Sequence, residues 1–521
     1  MLHLSVFNTI VRAKPLRTFA GIALYQRRKQ KATGTNCVFQ RPGMPMDWDS
    51  MLYSSTRGDA PRLGFADVLL AGLARDGGLY LPDQWPQFST DDIRTMRGLS
   101  YPDLAIRLLT PFVEEDIAVD DFRRIVEEAY ATFRHDAVCP LVQTGANEFT
   151  LELFHGPTLA FKDVAMQLLA RLMDHVLSER GQRATICGAT SGDTGGAAID
   201  AFAGRDRTDI FILFPHGRVS PVQQRQMTTS TAANVHALAI EGNFDDCQAL
   251  VKGMFNDHAF RDRVMLSGVN SINWARIMAQ IVYYFSSAIA LGAPDRSVSF
   301  TVPTGNFGDI FAGYAAKRMG LPVEQLVIAT NDNDILARTL ETGRYETRGV
   351  VETTSPSMDI QISSNFERLL FEVAGRDAGT VKRYMDSLKQ SGAFTIDAAA
   401  LGAIRAEFSA GRSSVEETAA TIRDLLDNSG YLADPHSAIA IKVARDGKHD
   451  ASVPMVVLAT AHPAKFPQAV KTACGIEPAL PVWLGDLMDR PEKFDILSSD
   501  LKMVEDHIER RTRAANNHSR I

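Results

Sequence analysis

The sequence predicts an α/β protein built on parallel sheet with helices packed against both faces. Three observations carry that prediction. From about Leu141 onward, short and almost wholly apolar runs alternate with helical stretches. Strands that lack polar alternation are the ones covered on both faces. Several of these runs end in loops rich in Gly, Ser or Thr, the places where ligands bind in open parallel sheets. At 521 residues the chain exceeds one ordinary domain. Its 45% hydrophobic and 22% charged residues are those of a folded globular protein. That argues against disorder, collagen and a small disulfide scaffold. No stretch approaches about eighteen uninterrupted apolar residues, so no membrane span is predicted. The five cysteines, Cys37, Cys139, Cys187, Cys247 and Cys474, are scattered and form no CxxC pair. They predict neither a zinc ribbon nor a disulfide framework, and they suit a reducing compartment. A formal charge of −7 offers no basic footprint for nucleic acid, so an anionic ligand needs local donors.

The first 46 residues differ from the rest. They contain no Asp or Glu but carry Arg12, Lys14, Arg17, Arg27, Arg28, Lys29, Lys31 and Arg41. An acid-free, Arg-bearing start has the composition of an organelle transit peptide. A disordered basic arm or an upstream start codon is the favoured reading, with Met46 and Met51 just ahead of the compact-looking sequence. Residues 1–46 are therefore expected to be an extension outside the fold. Residues 47–137 read as an accessory N-terminal domain. Within them Gly64–Ala74 puts Phe65, Val68, Leu69, Gly72 and Leu73 on one helical face before Asp76-Gly77-Gly78 stops it, and an acidic helix runs from about Asp120 to Phe133.

Residues 138–490 are expected to form the catalytic core, in two α/β subdomains. Strands are expected at Ala184–Gly188, Ile210–Phe214, Val235–Ile240, Val298–Val302, Gln325–Thr330 and Val456–Thr460. Helices are expected at Gly196–Phe202, Phe244–Asn256 and Ile310–Arg318. Ser220-Pro221 is a helix cap and first-turn pair. Residues 491–521 read as a C-terminal helix and tail.

Four loops carry candidate chemistry. In His155-Gly-Pro-Thr-Leu-Ala-Phe-Lys162-Asp163, Lys162 is enclosed by Leu159, Ala160 and Phe161 at the mouth of an amphipathic helix. Desolvation there lowers an ammonium pKa from about 10.4 toward neutrality and frees an amine for imine chemistry. The second loop, Thr190-Ser191-Gly192-Asp193-Thr194-Gly195-Gly196, puts hydroxyls and free N–H groups at a helix N-terminus, a setting for carboxylate or phosphate. Thr304-Gly305-Asn306-Phe307-Gly308-Asp309 also follows a strand, and its glycines let the backbone curl around an anion. It is neither the GxGxxG fingerprint nor a Walker A loop. The fourth strand-end loop runs through Thr460-Ala-His462-Pro-Ala-Lys465-Phe466 and offers the Thr460 hydroxyl. No metal-ligand spacing links His155, His436 and His462, so no metal site is predicted.

Taken together and in this order, these loops resemble those of fold-type II pyridoxal-phosphate enzymes, the tryptophan synthase β-like fold. HGPTLAFKD, SGDTGGAAI, NSINWARI, PTGNFGD and ATAHPAKF are similar to the core of the long bacterial and fungal threonine synthases. Tyr53-Ser-Ser-Thr-Arg-Gly58 and Asp76-Gly-Gly-Leu-Tyr80 are similar to that family's N-terminal domain. The resemblance implies pyridoxal 5'-phosphate bound through a Schiff base to Lys162. It implies a phosphate cup of Gly305, Asn306, Phe307, Gly308 and Asp309, Asp193 near the cofactor ring, and Thr460 at the pyridine nitrogen. Thr190, Ser191 and Thr194 are implied for the substrate carboxylate. Ser271, Asn273 and Arg276 are expected at the substrate phosphate, since a guanidinium matches phosphate oxygens in pairs. A structural ion pair is the competing role for Arg276.

The implied reaction turns O-phospho-L-homoserine and water into L-threonine and phosphate, the last step of threonine biosynthesis. The chain is then expected to be a cytoplasmic lyase, a monomer or homodimer without nucleic-acid or membrane partners. Organellar targeting by the basic start is the alternative location. A serine or threonine dehydratase of the same fold expects a run of glycines where this chain has TGNFGD. A binding protein without catalysis does not need Lys162, and a nicotinamide dehydrogenase needs a different glycine spacing.

Overall fold

The computed structural model describes residues 51–190 and 192–515. The basic segment 1–46, the residues around Asp47 and the candidate Ser191 lie outside the described residues.

Two sheets organise the fold. The larger has six strands in the spatial order Phe408–Arg412, Val323–Thr330, Val298–Pro303, Met455–Ala459, Glu148–Glu152 and Leu141–Gly145. All neighbours are parallel except the last two, which form an antiparallel pair. Asn147 makes that reversal with φ 57°, a conformation Asn tolerates better than most residues. The five-stranded sheet runs Asp495–Ser498, Val235–Glu241, Thr208–Pro215, Ala184–Ala189 and Leu266–Ser267, and it is parallel throughout. Thr208–Pro215, Val298–Pro303 and Met455–Ala459 are buried along their whole length. Burial on both faces is why these segments show no polar alternation.

Helix Trp274–Ala290 is buried nearly all round, with fourteen of its residues inside. Its Trp274 packs against Tyr53, Trp85 and Phe112, with ring centroids 5.7 to 6.1 Å apart. The N-terminal stretch therefore shares one continuous hydrophobic core with the sheets and helices that follow.

Several boundaries differ from the sequence expectation, each for a local reason. The helix expected to reach Ala74 spans Phe65–Ala71, because Gly72 turns to φ 66° and sends its N–H back to Val68. Leu73 consequently leaves the apolar face and is 43% exposed. The helix expected from Gly196 already starts at Asp193. Asp495–Ser498, half-exposed and only four residues long, joins the smaller sheet as an edge strand ahead of helix Leu501–Arg511. Such a short edge carries no periodic signal. Ser220 caps helix Pro221–Thr228 as expected. Among the described residues no helix is long and apolar enough to cross a membrane.

Parallel strands bring their carboxyl ends to one edge of each sheet. The loops after Ala184–Ala189, Val298–Pro303 and Met455–Ala459, and the loop into helix Lys162–Glu179, start from those edges.

Candidate active site

Lys162 is the first residue of an eighteen-residue helix whose next four positions are buried. The loop before it is tied to the loop after Met455–Ala459. Phe161 N–H donates to the Thr460 carbonyl at 2.8 Å, and His462 N–H donates to the Leu159 carbonyl at 3.0 Å. Asp163 closes the same loop by accepting from the N–H and hydroxyl of Thr158 at 2.8 and 2.6 Å. Burial pushes the Asp163 carboxyl up to about 7. Gly156 is required here, because a Cβ would stand 2.5 Å from the Asp163 Cβ.

The Lys162 side chain is buried, with Nζ 3.2 Å from Asp193 Oδ2 and 3.4 Å from the Ser357 hydroxyl. Burial lowers its ammonium pKa, and the charges of Lys465 and Arg276 push the same way against the pull of Asp193. Asp193 is held from several directions. Gln223 Nε2 donates to its Oδ1 at 2.8 Å, Lys465 Nζ lies 2.9 Å from that oxygen, and the Ser357 hydroxyl is 3.2 Å from Oδ2. Burial alone would raise this carboxyl, but Lys162, Lys465 and the hydrogen bond from Gln223 hold it well below the usual carboxylate range.

The glycine-rich turn after Val298–Pro303 is anchored through its carbonyls. Ser363 Oγ donates to the Gly305 carbonyl at 2.6 Å, while Asn365 donates from its backbone N–H and Nδ2 to the Asn306 carbonyl at 3.0 and 2.9 Å. Phe307 adopts φ 63° and buries its ring against Phe366, so helix Gly308–Arg318 begins abruptly. A helix N-terminus in this setting attracts phosphate. Gly305 has no room for a side chain, since a Cβ would meet the Ser357 carbonyl oxygen at 2.7 Å. Asp309 lies inside that first turn, with Oδ1 accepting from the Tyr283 and Tyr284 hydroxyls. Its Oδ2 is buried without a partner among the described residues, and burial pushes the carboxyl up to about 6.

Of the residues expected to receive substrate, Arg276 is the most informative. It is 3% exposed, donates from Nη1 to the Val269 carbonyl at 3.1 Å, and leaves Nε buried without a partner among the described residues. No carboxylate pairs with it there, so the alternative of a structural ion pair has no partner in place. Burial pushes its guanidinium down to about 10. A buried cation without a counter-ion is costly unless an anion meets it. Ser271 lies beside the cup, its carbonyl accepting from Asn365 Nδ2 at 3.2 Å and standing 3.7 Å from where Gly308 would carry a Cβ. Thr194 is half-buried in the first turn of helix Asp193–Phe202.

Two expected ligands carry structural hydrogen bonds. Asn273 caps helix Trp274–Ala290 through Ala275 N–H at 3.0 Å and donates to the Leu69 carbonyl at 2.9 Å. Thr190 uses its hydroxyl to accept from Gly192 and Gly195 N–H at 2.9 and 3.0 Å. That capping also explains why the following helix starts early. Sequence reasoning missed Lys465, Ser357, Gln223 and the Asp434–His436 pair. Lys465 lay within a recognised motif, yet nothing local distinguishes a lysine that is fully buried on Asp193 from a solvated one.

A pyridoxal-phosphate cofactor fits this arrangement. Gly305 is cradled where a Cβ cannot go, the adjoining helix N-terminus suits a phosphate, and Lys162 lies beside them. Two further buried cations, Lys465 and Arg276, act on Lys162 here, which suits a ligand bearing more than one anionic group.

Comparison with known proteins agrees. The family "Threonine synthase N terminus" matches residues 52–130, "Pyridoxal-phosphate dependent enzyme" matches 143–388, and "Threonine synthase, C-terminal" matches 437–508. A threonine synthase of Pseudomonas aeruginosa is 55% identical over 87% of this chain and 97% of its own length. That of Saccharomyces cerevisiae is 42% identical over 88% of this chain and 95% of its own. Among solved structures, a PLP-bound threonine synthase from Brucella melitensis is 72% identical, with TM-score 0.88 over 89% of this chain and 100% of its own. The yeast enzyme's structure gives TM-score 0.84 at 41% identity, over 89% of this chain and 99% of its own. Likeness at this level, across nearly the whole described fold, means that the chain belongs to the threonine synthase family of pyridoxal-phosphate-dependent enzymes.

Proposed function

We propose that the chain converts O-phospho-L-homoserine and water into L-threonine and phosphate, with Lys162 as cofactor anchor and proton carrier. The observation that carries this reading is the buried Lys162 amine, 3.2 Å from Asp193 and beside the glycine turn that suits a phosphate. When bound, pyridoxal phosphate supplies the electron sink that lets a C–H bond next to the substrate amine break. The protein supplies placement and charge.

Lys162 Nζ, lowered in basicity by burial, takes up a proton and gives it back, while Asp193 Oδ2 receives its N–H bonds. Arg276 presents a guanidinium fork to the substrate phosphate. Ser271 lines the same side, and Asn273 serves by fixing the start of the Arg276 helix. Thr194 and Ser191 receive the substrate carboxylate on a loop that Thr190 holds closed. Thr460 offers a hydroxyl, not a carboxylate, to the pyridine nitrogen. A hydroxyl in that position would not hold a full positive charge on the nitrogen as a carboxylate would, and transamination would be disfavoured. Gly305, Asn306, Phe307, Gly308 and Asp309 hold the cofactor phosphate.

The same reading places the enzyme in the cytoplasm as a monomer or homodimer acting on a small molecule. Cell fractionation and light scattering check those two points.

The deciding experiment is turnover of phosphohomoserine. Threonine and phosphate appear in near-equal amounts, and in deuterated water the threonine carries solvent hydrogen at the α-carbon and the γ-methyl. Release of 2-oxobutanoate in place of threonine would make the enzyme a phospholyase and overturn the reading.

A further inference from the structure

The chain between strand Arg344–Glu346 and helix Phe366–Val373 contains only one short 3-10 turn, Pro356–Met358. It is nevertheless a built strap. Asn331 Nδ2 donates to Thr353 Oγ1 at 2.9 Å, Ser355 Oγ at 2.9 Å and Asp359 Oδ1 at 2.7 Å, and Thr353 N–H donates to Asp359 Oδ2 at 2.8 Å. This clasp carries Ser357 to Lys162. The Ser357 hydroxyl is 3.4 Å from Lys162 Nζ and 3.2 Å from Asp193 Oδ2.

Behind Ser357 stands a buried pair. Its N–H donates to His436 Nε2 at 3.4 Å, and His436 Nδ1 lies 2.7 Å from Asp434 Oδ2. For Nε2 to accept, the neutral ring must carry its proton on Nδ1, facing Asp434. Asp434 and His436 are 0% and 3% exposed. The ring therefore has one orientation and one tautomer, and both serve Ser357.

We propose that Ser357 is a catalytic residue that aims the Lys162 nitrogen, with Asp434 and His436 as its positioning residues; this rests on Lys162 being the proton carrier. When Nζ takes a proton, the C–H electron pair stays with the substrate and the amine becomes an ammonium with three N–H bonds. One is received by Asp193 Oδ2 and one by Ser357 Oγ. The third is left to point at the substrate and return the proton. Without Ser357 the ammonium has one acceptor and swings about it. The charged groups facing Lys162 are Asp193, Lys465 from the Pro463–Lys465 turn, Arg276 from Trp274–Ala290 and Asp309 from Gly308–Arg318. Of these only Asp193 is within hydrogen-bond distance of Nζ among the described residues, and it accepts from the Ser357 hydroxyl on its Oδ2, which leaves the Oγ lone pairs to receive an N–H of Lys162.

The test compares Ser357→Ala and Ser357→Thr with the wild type in two readouts. In the holoenzyme, the alanine variant loses about tenfold to a hundredfold in kcat with little change in KM, the worth of one hydrogen bond to a charged group. Threonine restores the rate. In the apoprotein, pH-dependent labelling of Lys162 by an amine-directed reagent, read by mass spectrometry, shifts to lower pH in Ser357→Ala. The missing acceptor no longer favours the ammonium, and threonine shifts the curve back. If alanine unfolds the strap, Ser357→Cys keeps the volume with a weak acceptor and gives the same two changes. An unchanged labelling curve together with unchanged kcat overturns the proposal, as does a loss that threonine does not restore. A wild-type borohydride adduct on a lysine other than Lys162 overturns both this and the parent reading. An adduct on Lys162 with an unaltered alanine variant overturns Ser357 alone.

Discussion

Lys465 Nζ stands 2.9 Å from Asp193 Oδ1, on the carboxylate oxygen opposite the one that faces Lys162. Asp193 is therefore bracketed by two buried lysines, and only one of them bonds the cofactor in the proposed mechanism. Once that bond engages Lys162, Lys465 remains as the fixed counter-charge, further held by the Thr158 carbonyl at 2.6 Å. Asp193 can then stay ionised beside the cofactor.

In the holoenzyme, where Lys162 is engaged by the cofactor, breaking that bracket leaves the buried Asp193 charge without a lysine partner. Lys465→Met is expected to cost about 3–5 kcal/mol of stability, and adding Asp193→Asn recovers part of the loss. Denaturant unfolding of both single variants and the double variant measures the coupling. Additive losses would show that the two residues do not act together.

Sodium borohydride fixes the cofactor on Lys162 irreversibly, and the purified holoenzyme is yellow before reduction. Peptide mapping locates the adduct. Recovery of the label on Lys465, the other buried lysine at Asp193, would exchange the roles of the two residues.

Arg276→Lys keeps a charge but loses the planar fork. Binding of phosphohomoserine weakens about tenfold or more, while an analogue lacking the phosphate is little affected. Steady-state comparison of the two compounds checks this. Equal losses would assign Arg276 to the fold.

Gly305→Ala drives a methyl toward the Ser357 carbonyl oxygen at 2.7 Å, and backbone on both sides resists movement. Cofactor affinity falls about tenfold to a hundredfold, a cost of roughly 1.4–2.7 kcal/mol. Fluorescence titration of the apoprotein reads it. An unchanged affinity would remove this turn from the cofactor site.

Asp309 has a folded-state pKa of about 6 against an ordinary 3.8. The folded state thus binds the extra proton between those values. Its contribution to stability is fully present below the lower value and is lost as pH rises through the upper one. Apoprotein stability falls by on the order of 3 kcal/mol over that window from this group. Asp309→Asn flattens that part of the profile while keeping an acceptor for Tyr283 and Tyr284. Melting temperatures at pH 4, 5, 6 and 7 check the slope, and an identical slope in the variant refutes it.

What the sequence by itself determined is local in origin. Buried strands such as Thr208–Pro215 declare themselves through unbroken apolar runs, here Ile210–Phe214, and Gly305 and Gly308 declare a tight turn after a strand. Lys162 stands out because apolar neighbours and a following amphipathic helix surround it. The strap bearing Ser357 carried no such signal: Ser357 meets Lys162 across 195 residues of chain, through a loop with no periodicity. Only the tertiary structure decided that Lys465 is a buried partner of Asp193, that Asn273 spends its amide on a helix cap, and that Arg276 has no carboxylate beside it among the described residues. Residue type and spacing set which elements form, because propensity and periodic burial act within one segment. The charge and hydrogen bonds that a polar side chain meets depend on which strand ends the sheet order brings together, and that order comes from packing the whole chain.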